Sequence, residues 1–120
     1  MSVVEFIRGF FDALIHLSAK KRLSFEDIIK MFSKDIDKII LNQNRKGKKF
    51  LAGNFYIREL NGINFKPSFE IYFTIPGEED CEVVKNESIV IPMSRLKSKA
   101  ILELKANKEL IFAITAPENV

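Results

Sequence analysis

Residues that could perform acid–base, thiol or metal chemistry are few and widely separated in this chain. His16 is the only histidine and Cys81 the only cysteine, and neither belongs to a recognisable catalytic motif. A histidine that acts as a general acid or base needs a positioned partner, and a closed zinc site needs more ligands than these two residues supply. We therefore expect no catalytic residue, no metal and no cofactor.

An acidic cluster surrounds the cysteine. Its four carboxylates lie within five positions and belong to Glu78, Glu79, Asp80 and Glu82. Calcium prefers oxygen ligands, but this spacing lacks the alternating ligands and the central glycine of an EF-hand loop. Neighbouring carboxylates also disfavour the thiolate that a reactive cysteine needs. The segment is therefore predicted to be an exposed acidic turn.

A basic tract occupies residues 45–49. Its four cations belong to Arg45, Lys46, Lys48 and Lys49. The aromatic residues Phe50, Phe55 and Tyr56 follow it, so the cations could neutralise phosphates while an exposed ring stacks on a base. A second basic segment, residues 95–99, would extend this surface if the fold brings the two together. Nucleic-acid binding through the basic tract is therefore one functional hypothesis.

The residues before the basic tract predict two helices. Ser2-Val3-Val4-Glu5 has the form of a capping box, and apolar residues then recur at helical spacing as far as Leu17. Ser24 begins a second capping pattern, followed by apolar residues spaced three and four apart to about Leu41. The helical part of the chain is thus expected to span residues 1–44.

The residues after the basic tract predict strands over 50–120. Asn61-Gly62 is the strongest two-residue hairpin signal, because both residues tolerate a positive φ. Alternating apolar residues predict a returning strand over 65–75. Shorter strands are expected around 82–85, 88–91 and 99–105. The continuous apolar run 110–114 suits a last strand that is central or covered by an oligomeric partner.

The fold class that follows is α+β, with two N-terminal helices packed on a mainly antiparallel sheet of five or six strands. The 120 residues are expected to form one domain. The formal net charge is +3 and its basic character lies in the helical half, where residues 1–49 hold eleven cations against six carboxylates. A lone cysteine and the lack of an export pattern favour a cytoplasmic location.

The first sixty residues also carry a family resemblance. Arg8-Gly9-Phe10-Phe11 lies in the predicted first helix, 23–28 opens the second helix, and Asn54-Phe55-Tyr56 with Leu60 follows the basic tract. This arrangement resembles the N-terminal domain that precedes the forkhead-associated domain in some bacterial signalling proteins. The resemblance implies a non-catalytic module that docks to a protein partner, with no active-site residues.

A protein interaction is accordingly the leading functional hypothesis, with the protein binding a partner or itself. The predicted first helix has an apolar stripe wider than one packing seam, and Phe11 and Ile15 are its candidate partner surface. We expect no membrane segment, because charged residues interrupt the apolar stretch 3–17.

Overall fold

The computed structural model describes residues 3–7, 22–86 and 89–117. His16, Phe11, Ile15 and the predicted first helix beyond Ile7 lie outside these residues. The described elements are, in chain order, β1 (Val3–Ile7), α1 (Phe25–Arg45), β2 (Lys49–Leu60), β3 (Asn64–Thr74), β4 (Cys81–Asn86), β5 (Ile91–Pro92), a short 3-10 helix (Met93–Arg95), α2 (Ser98–Asn107) and β6 (Glu109–Ala113).

One sheet contains the six described strands. Its order is β1-β4-β3-β2-β6, and β5 pairs with the start of β3. Every pairing is antiparallel except that between β1 and β4, which is parallel. The predicted α+β class and the mainly antiparallel sheet are therefore confirmed.

Helix α1 covers one face of the sheet. Ser24 caps it, since the Ser24 hydroxyl accepts from the backbone N–H of Asp27 at 3.1 Å, and the Asp27 carboxylate accepts from the Ser24 N–H at 2.9 Å. These two bonds satisfy donors that a helix start leaves unpaired. The buried side of α1 meets the sheet through Phe32, whose ring centroid lies 5.4 Å from that of Phe55.

The β2–β3 hairpin supplies the two longest described strands of the sheet. Its turn forms where Asn61-Gly62 predicts it. Both residues have positive φ, 45° and 77° respectively. Leu60 pairs with Asn64, so the loop holds three residues rather than the two that the dipeptide predicts. The following strand buries alternate side chains from Phe65 to Phe73 in the core to which α1 also contributes.

The start of the chain departs from the prediction. Residues Val3–Ile7 form β1 and pair in parallel register with β4, so a helix beginning at the predicted capping box is wrong for this segment. Valine, isoleucine and phenylalanine favour strands, and pairing with β4 outweighs a capping pattern that is also common outside helices. One described helix, not two, precedes the β2–β3 hairpin.

The second departure lies near the other end. The strand predicted over 99–105 is wrong, because Ser98–Asn107 forms α2 and buries Ala100 and Leu104 in the core. Alanine, leucine, glutamate and lysine dominate this segment, and all four are strong helix formers. The backbone N–H of Lys108 then bonds to the Leu104 carbonyl at 2.8 Å and ends the helix.

A short bridge ties the start of α1 to the segment before α2. Leu23 donates its N–H to the Arg95 carbonyl at 2.8 Å and accepts from the Lys97 N–H at 2.9 Å. Leu23 and Leu96 are both fully buried. The second basic segment is therefore held at the N-terminal end of α1.

Candidate functional site

Strand β6 lies at the edge of the sheet. Among the described residues it pairs on one side only, with β2, in antiparallel register from Glu109 opposite Arg58 to Ala113 opposite Asn54. We call its other side, facing away from β2, the free edge. Of the two predicted alternatives, a central position is therefore wrong among the described residues, and coverage by an oligomeric partner stays a prediction.

The hydrogen bonds between β6 and β2 determine which backbone groups of β6 face the free edge. Lys108 and Ile114 both bond to β2, because Glu59 donates its N–H to the Lys108 carbonyl at 2.8 Å and Ile114 donates to the Gly53 carbonyl at 2.9 Å. Bonding alternates along an antiparallel pair, so the intervening residues 110 and 112 also bond to β2. The N–H and C=O groups of Glu109, Ile111 and Ala113 therefore point away from the sheet.

A groove of about 730 Å³ lies beside the free edge, between α1 and the chain from β6 to Pro117. Its apolar lining includes Ile29, Ile36, Phe55, Phe112, Ile114 and Pro117. The polar side chains of Ser33 and Asp37, both exposed on α1, also line the groove. A mostly apolar groove with a few polar groups is the usual form of a binding cleft.

Gly53 allows Ile114, which lines the groove, to lie close to β2. A side chain at this position would bring its Cβ within 3.0 Å of the Ile114 Cβ and 3.3 Å of the Glu70 carbonyl oxygen. Glycine therefore lets the segment after β6 lie directly on β2. Ile114, which also lines the groove, therefore lies directly against β2.

Charge at the free edge is largely compensated. Glu109 forms an ion pair with Arg58 on β2, at 2.5 Å from Nη2, and also accepts from its Nε. Ile111 is 57% exposed at the centre of the strand. The edge thus presents an apolar side chain flanked by a neutralised carboxylate.

The basic tract connects α1 to β2, as the sequence predicts. Arg45 ends the helix, Lys46 caps it and Lys49 opens the strand, with all three side chains exposed. Lys48 differs: its Nζ lies 2.5 Å from Oε2 of Glu82, whose residue is 5% exposed. Lys48 is therefore part of a largely buried ion pair, and it is not an open contact for a ligand.

The rest of the predicted nucleic-acid surface is not assembled. The second basic segment adjoins Leu23 at one end of α1, while the basic tract lies at the other. A helix of 21 residues separates them by about 30 Å. Phe55 is buried, Phe50 packs edge-on against Phe73, and the Tyr56 hydroxyl is directed to Glu70.

The acidic turn divides into two parts. Glu78, Glu79 and Asp80 are exposed, as predicted, whereas Glu82 belongs to β4 and pairs with Lys48. Cys81 is half-buried at the first position of that strand. The described parts of the chain contain no group of three histidine, cysteine or carboxylate side chains placed to hold a metal ion.

A second polar cluster, not predicted from the sequence, lies on strands β2, β3 and β4. The Glu70 carboxylate accepts from the Tyr72 hydroxyl at 2.7 Å and from the Tyr56 hydroxyl at 3.4 Å, while the Lys85 Nζ lies 3.5 Å away. The hydrogen bond to Glu70 raises the pKa of Tyr72 to about 12, with burial and the adjacent negative charge adding to the effect.

The same contacts act on the carboxylate in the opposite direction. The hydrogen bond from Tyr72 lowers the pKa of Glu70, and the positive charge of Lys85 adds to this effect, while burial opposes both. A phenol with a raised pKa stays protonated at neutral pH and donates its hydrogen bond to the carboxylate. The contacts of this cluster link β2, β3 and β4.

The free edge and its groove are the features that sequence reasoning missed. The exposed apolar residue Ile111 within a short strand was a signal, but strand order in the sheet depends on pairings between distant segments. No family model, curated protein or solved structure matches this chain. Neither helix in the described part of the chain combines the length and apolar character needed to cross a bilayer.

Proposed function

We propose that this chain is a small non-enzymatic interaction protein that receives an extended segment of a protein partner at the free edge of β6. The observation that carries the proposal is the row of outward-facing backbone groups at Glu109, Ile111 and Ala113 beside an apolar groove. Strand addition uses such a row for affinity and adjacent pockets for specificity. The family resemblance in the first sixty residues implies the same class of function.

Within the described residues, the free edge lacks two of the common protections against pairing, lysine and proline. Natural edge strands are commonly shortened, twisted by bulges, or supplied with lysine or proline. Strand β6 contains neither residue type, and its exposed centre is Ile111. An unprotected apolar edge in a folded protein is suited to a partner that covers it.

The groove determines which segment fits. Alternate side chains of an added strand would face α1, since successive residues of a strand point to opposite sides of a sheet. The lining beside them is supplied by Ile29, Ile36 and Phe112, with Ser33 at the exposed margin. The preferred partner segment is extended and apolar at every second position.

Selection from a library of random peptides tests this proposal. We expect the selected peptides to alternate apolar and polar residues, and to lose affinity about tenfold or more with either Ile111→Lys or Ser33→Glu, measured by fluorescence anisotropy. Both positions are exposed, so both variants should fold. The matched control is Leu102→Lys, which adds the same charge at a 70% exposed leucine on α2 and should leave affinity unchanged.

Two outcomes would overturn the proposal. Peptides that bind equally well to the Ile111→Lys variant would place recognition elsewhere. A concentration-dependent dimer in light scattering that Ile111→Lys converts to a monomer would replace the separate partner with a second copy of this chain. The interaction surface predicted at Phe11 and Ile15 lies outside the described residues and remains a prediction.

Nucleic-acid binding is the second candidate function. It is favoured by the exposure of Arg45, Lys46 and Lys49 at the end of α1. Lys48 is removed from the predicted contacts, because it is engaged with Glu82. Salt-dependent binding to DNA or RNA is the defining observation for this function.

A further inference from the structure

Two groups of cations differ in their contacts among the described residues. Four cations on or beside the sheet are paired with carboxylates: Lys48 with Glu82, Arg58 with Glu109, Lys85 with Glu70 and Lys108 with Glu59. Those on the outer side of α1 and just beyond it are exposed, and within the described residues no ion pair holds them: Lys30, Lys34, Lys38, Arg45, Lys46 and Lys49. We call this second group the basic ridge.

The helix aligns the basic ridge. Lys30, Lys34 and Lys38 follow one another at intervals of four residues, and Arg45 lies seven residues further on, so all four share one face of α1. Lysines four residues apart are displaced by about 6 Å along a helix, and the row extends over about 22 Å. The row thus places three cations at intervals of about 6 Å and a fourth about 10 Å beyond them, a length that spans several phosphates of a nucleic-acid strand.

Few carboxylates interrupt the basic ridge. Glu26 and Asp37 are the exposed acidic side chains of α1, against four exposed cations on the helix and two in the basic tract. Unpaired cations at this spacing repel one another, and an extended polyanion relieves that repulsion while releasing its own counterions. The electrostatic footprint therefore extends along α1 beyond the basic tract that the sequence singled out.

The burial of the aromatic residues indicates which class of nucleic acid fits the basic ridge. Proteins that bind single strands place exposed rings against the bases. In the described parts of the chain every phenylalanine and tyrosine is buried or half-buried, including Phe50 and Tyr56 beside the basic tract. A surface of cations without exposed rings is suited to the phosphates of a duplex, whose bases stay stacked.

We propose that the basic ridge binds the phosphate backbone of double-stranded nucleic acid without reading its sequence. This inference rests on the second candidate function and specifies its ligand. The lysines of α1 provide the contacts along one strand, and Lys46 and Lys49 extend them past the end of the helix.

The test measures binding of a fluorescent DNA duplex by anisotropy over a range of salt concentrations. The triple variant Lys30→Gln, Lys34→Gln, Lys38→Gln keeps good helix formers while removing three charges. The plot of log affinity against log salt concentration should become less steep, by about 0.9 for each phosphate that the protein no longer neutralises. The control variant Lys97→Gln, Lys99→Gln, Lys105→Gln removes three exposed charges near α2 and should keep the original slope.

The other outcomes show whether this inference fails alone or whether nucleic-acid binding fails with it. Equal decreases in the two triple variants would show that net charge alone, rather than the basic ridge, drives binding. Tighter binding to a single strand than to the duplex would overturn the inference and leave nucleic-acid binding standing. Binding to polyglutamate as tight as to the duplex would overturn both, and so would no binding to any nucleic acid at low salt.

Discussion

Lys48 and Glu82 show how a single contact changes the interpretation of two motifs. In the sequence, Lys48 belongs to the basic tract and Glu82 to the acidic turn, and both motifs suggest exposed charge. In the fold they form one ion pair across the start of β2 and β4, with the Lys48 side chain 23% exposed and that of Glu82 only 6%. The pair holds the joint between helix and sheet in place.

We expect Lys48→Ala to destabilise the fold by about 2 kcal/mol, because it leaves a buried carboxylate without its cation. The control Lys46→Ala removes an exposed cation from the same tract and should change the free energy of unfolding by less than about 0.5 kcal/mol. Urea unfolding measures both. Adding Glu82→Gln to Lys48→Ala should recover part of the stability, and equal stability of the two single variants would contradict the role of this pair.

The contact between Glu70 and Tyr72 makes stability depend on pH at both ends of the scale. The pKa of Tyr72 is raised above its ordinary value of 10, so the stability this contact provides is complete below pH 10 and is lost as pH rises through about 12. The pKa of Glu70 is lowered, so the same contact is present above the ordinary value of 4.5 and is lost as pH falls through the lowered one.

Titration of the phenol checks this assignment. The chain has two tyrosines, so in a Tyr56→Phe variant the ultraviolet absorbance of phenolate reports Tyr72 alone. We expect its midpoint at about 12, and a shift toward 10 when Glu70→Gln is added. Glu109→Gln removes a carboxylate that pairs with Arg58 instead, and should leave the midpoint unchanged. A midpoint near 10 in the Tyr56→Phe variant would contradict the hydrogen bond.

At the scale of the element, β6 should show an alternating pattern of amide exchange. The N–H groups of Leu110 and Phe112 are bonded to β2, whereas those of Ile111 and Ala113 face the free edge. We therefore expect slow hydrogen exchange at the first two and fast exchange at the second two, measured by nuclear magnetic resonance.

Binding of a selected peptide should then slow exchange at Ile111 and Ala113 without further change at Leu110, because strand addition bonds the outward groups alone. Slow exchange at all of these amides in the isolated monomer would mean that the edge is already covered. The alternation is thus an internal control, since both sets of amides lie on one five-residue strand.

The elements that sequence reasoning located are those with local signals. Ser24 begins α1 through a capping box, and Asn61-Gly62 turns the chain between β2 and β3, because each signal acts within a few residues. The predictions for segments 3–7 and 98–107 are wrong because local signals alone do not determine the structure of these segments. Their apolar residues fit more than one period, and the outcome depends on β4 and on the core around Leu104.

At the scale of the whole molecule, the candidate site depends on the order of strands in the sheet. The exposure of Arg45, Lys46 and Lys49 could be predicted, since a joint between elements lies at the surface. The free edge could not, because a strand becomes an edge only when the neighbours of every other strand are fixed. Pairings between distant segments leave little trace in a single sequence.

The parallel pairing of β1 with β4 has a consequence for how the chain acquires its structure. The strands are neighbours in the sheet, yet α1, β2 and β3 all lie between them in the chain. During synthesis β1 leaves the ribosome long before β4 exists, and it must remain unpaired until that strand emerges. The β2–β3 hairpin needs no such delay, so folding should begin in the middle of the chain and reach its first strand late.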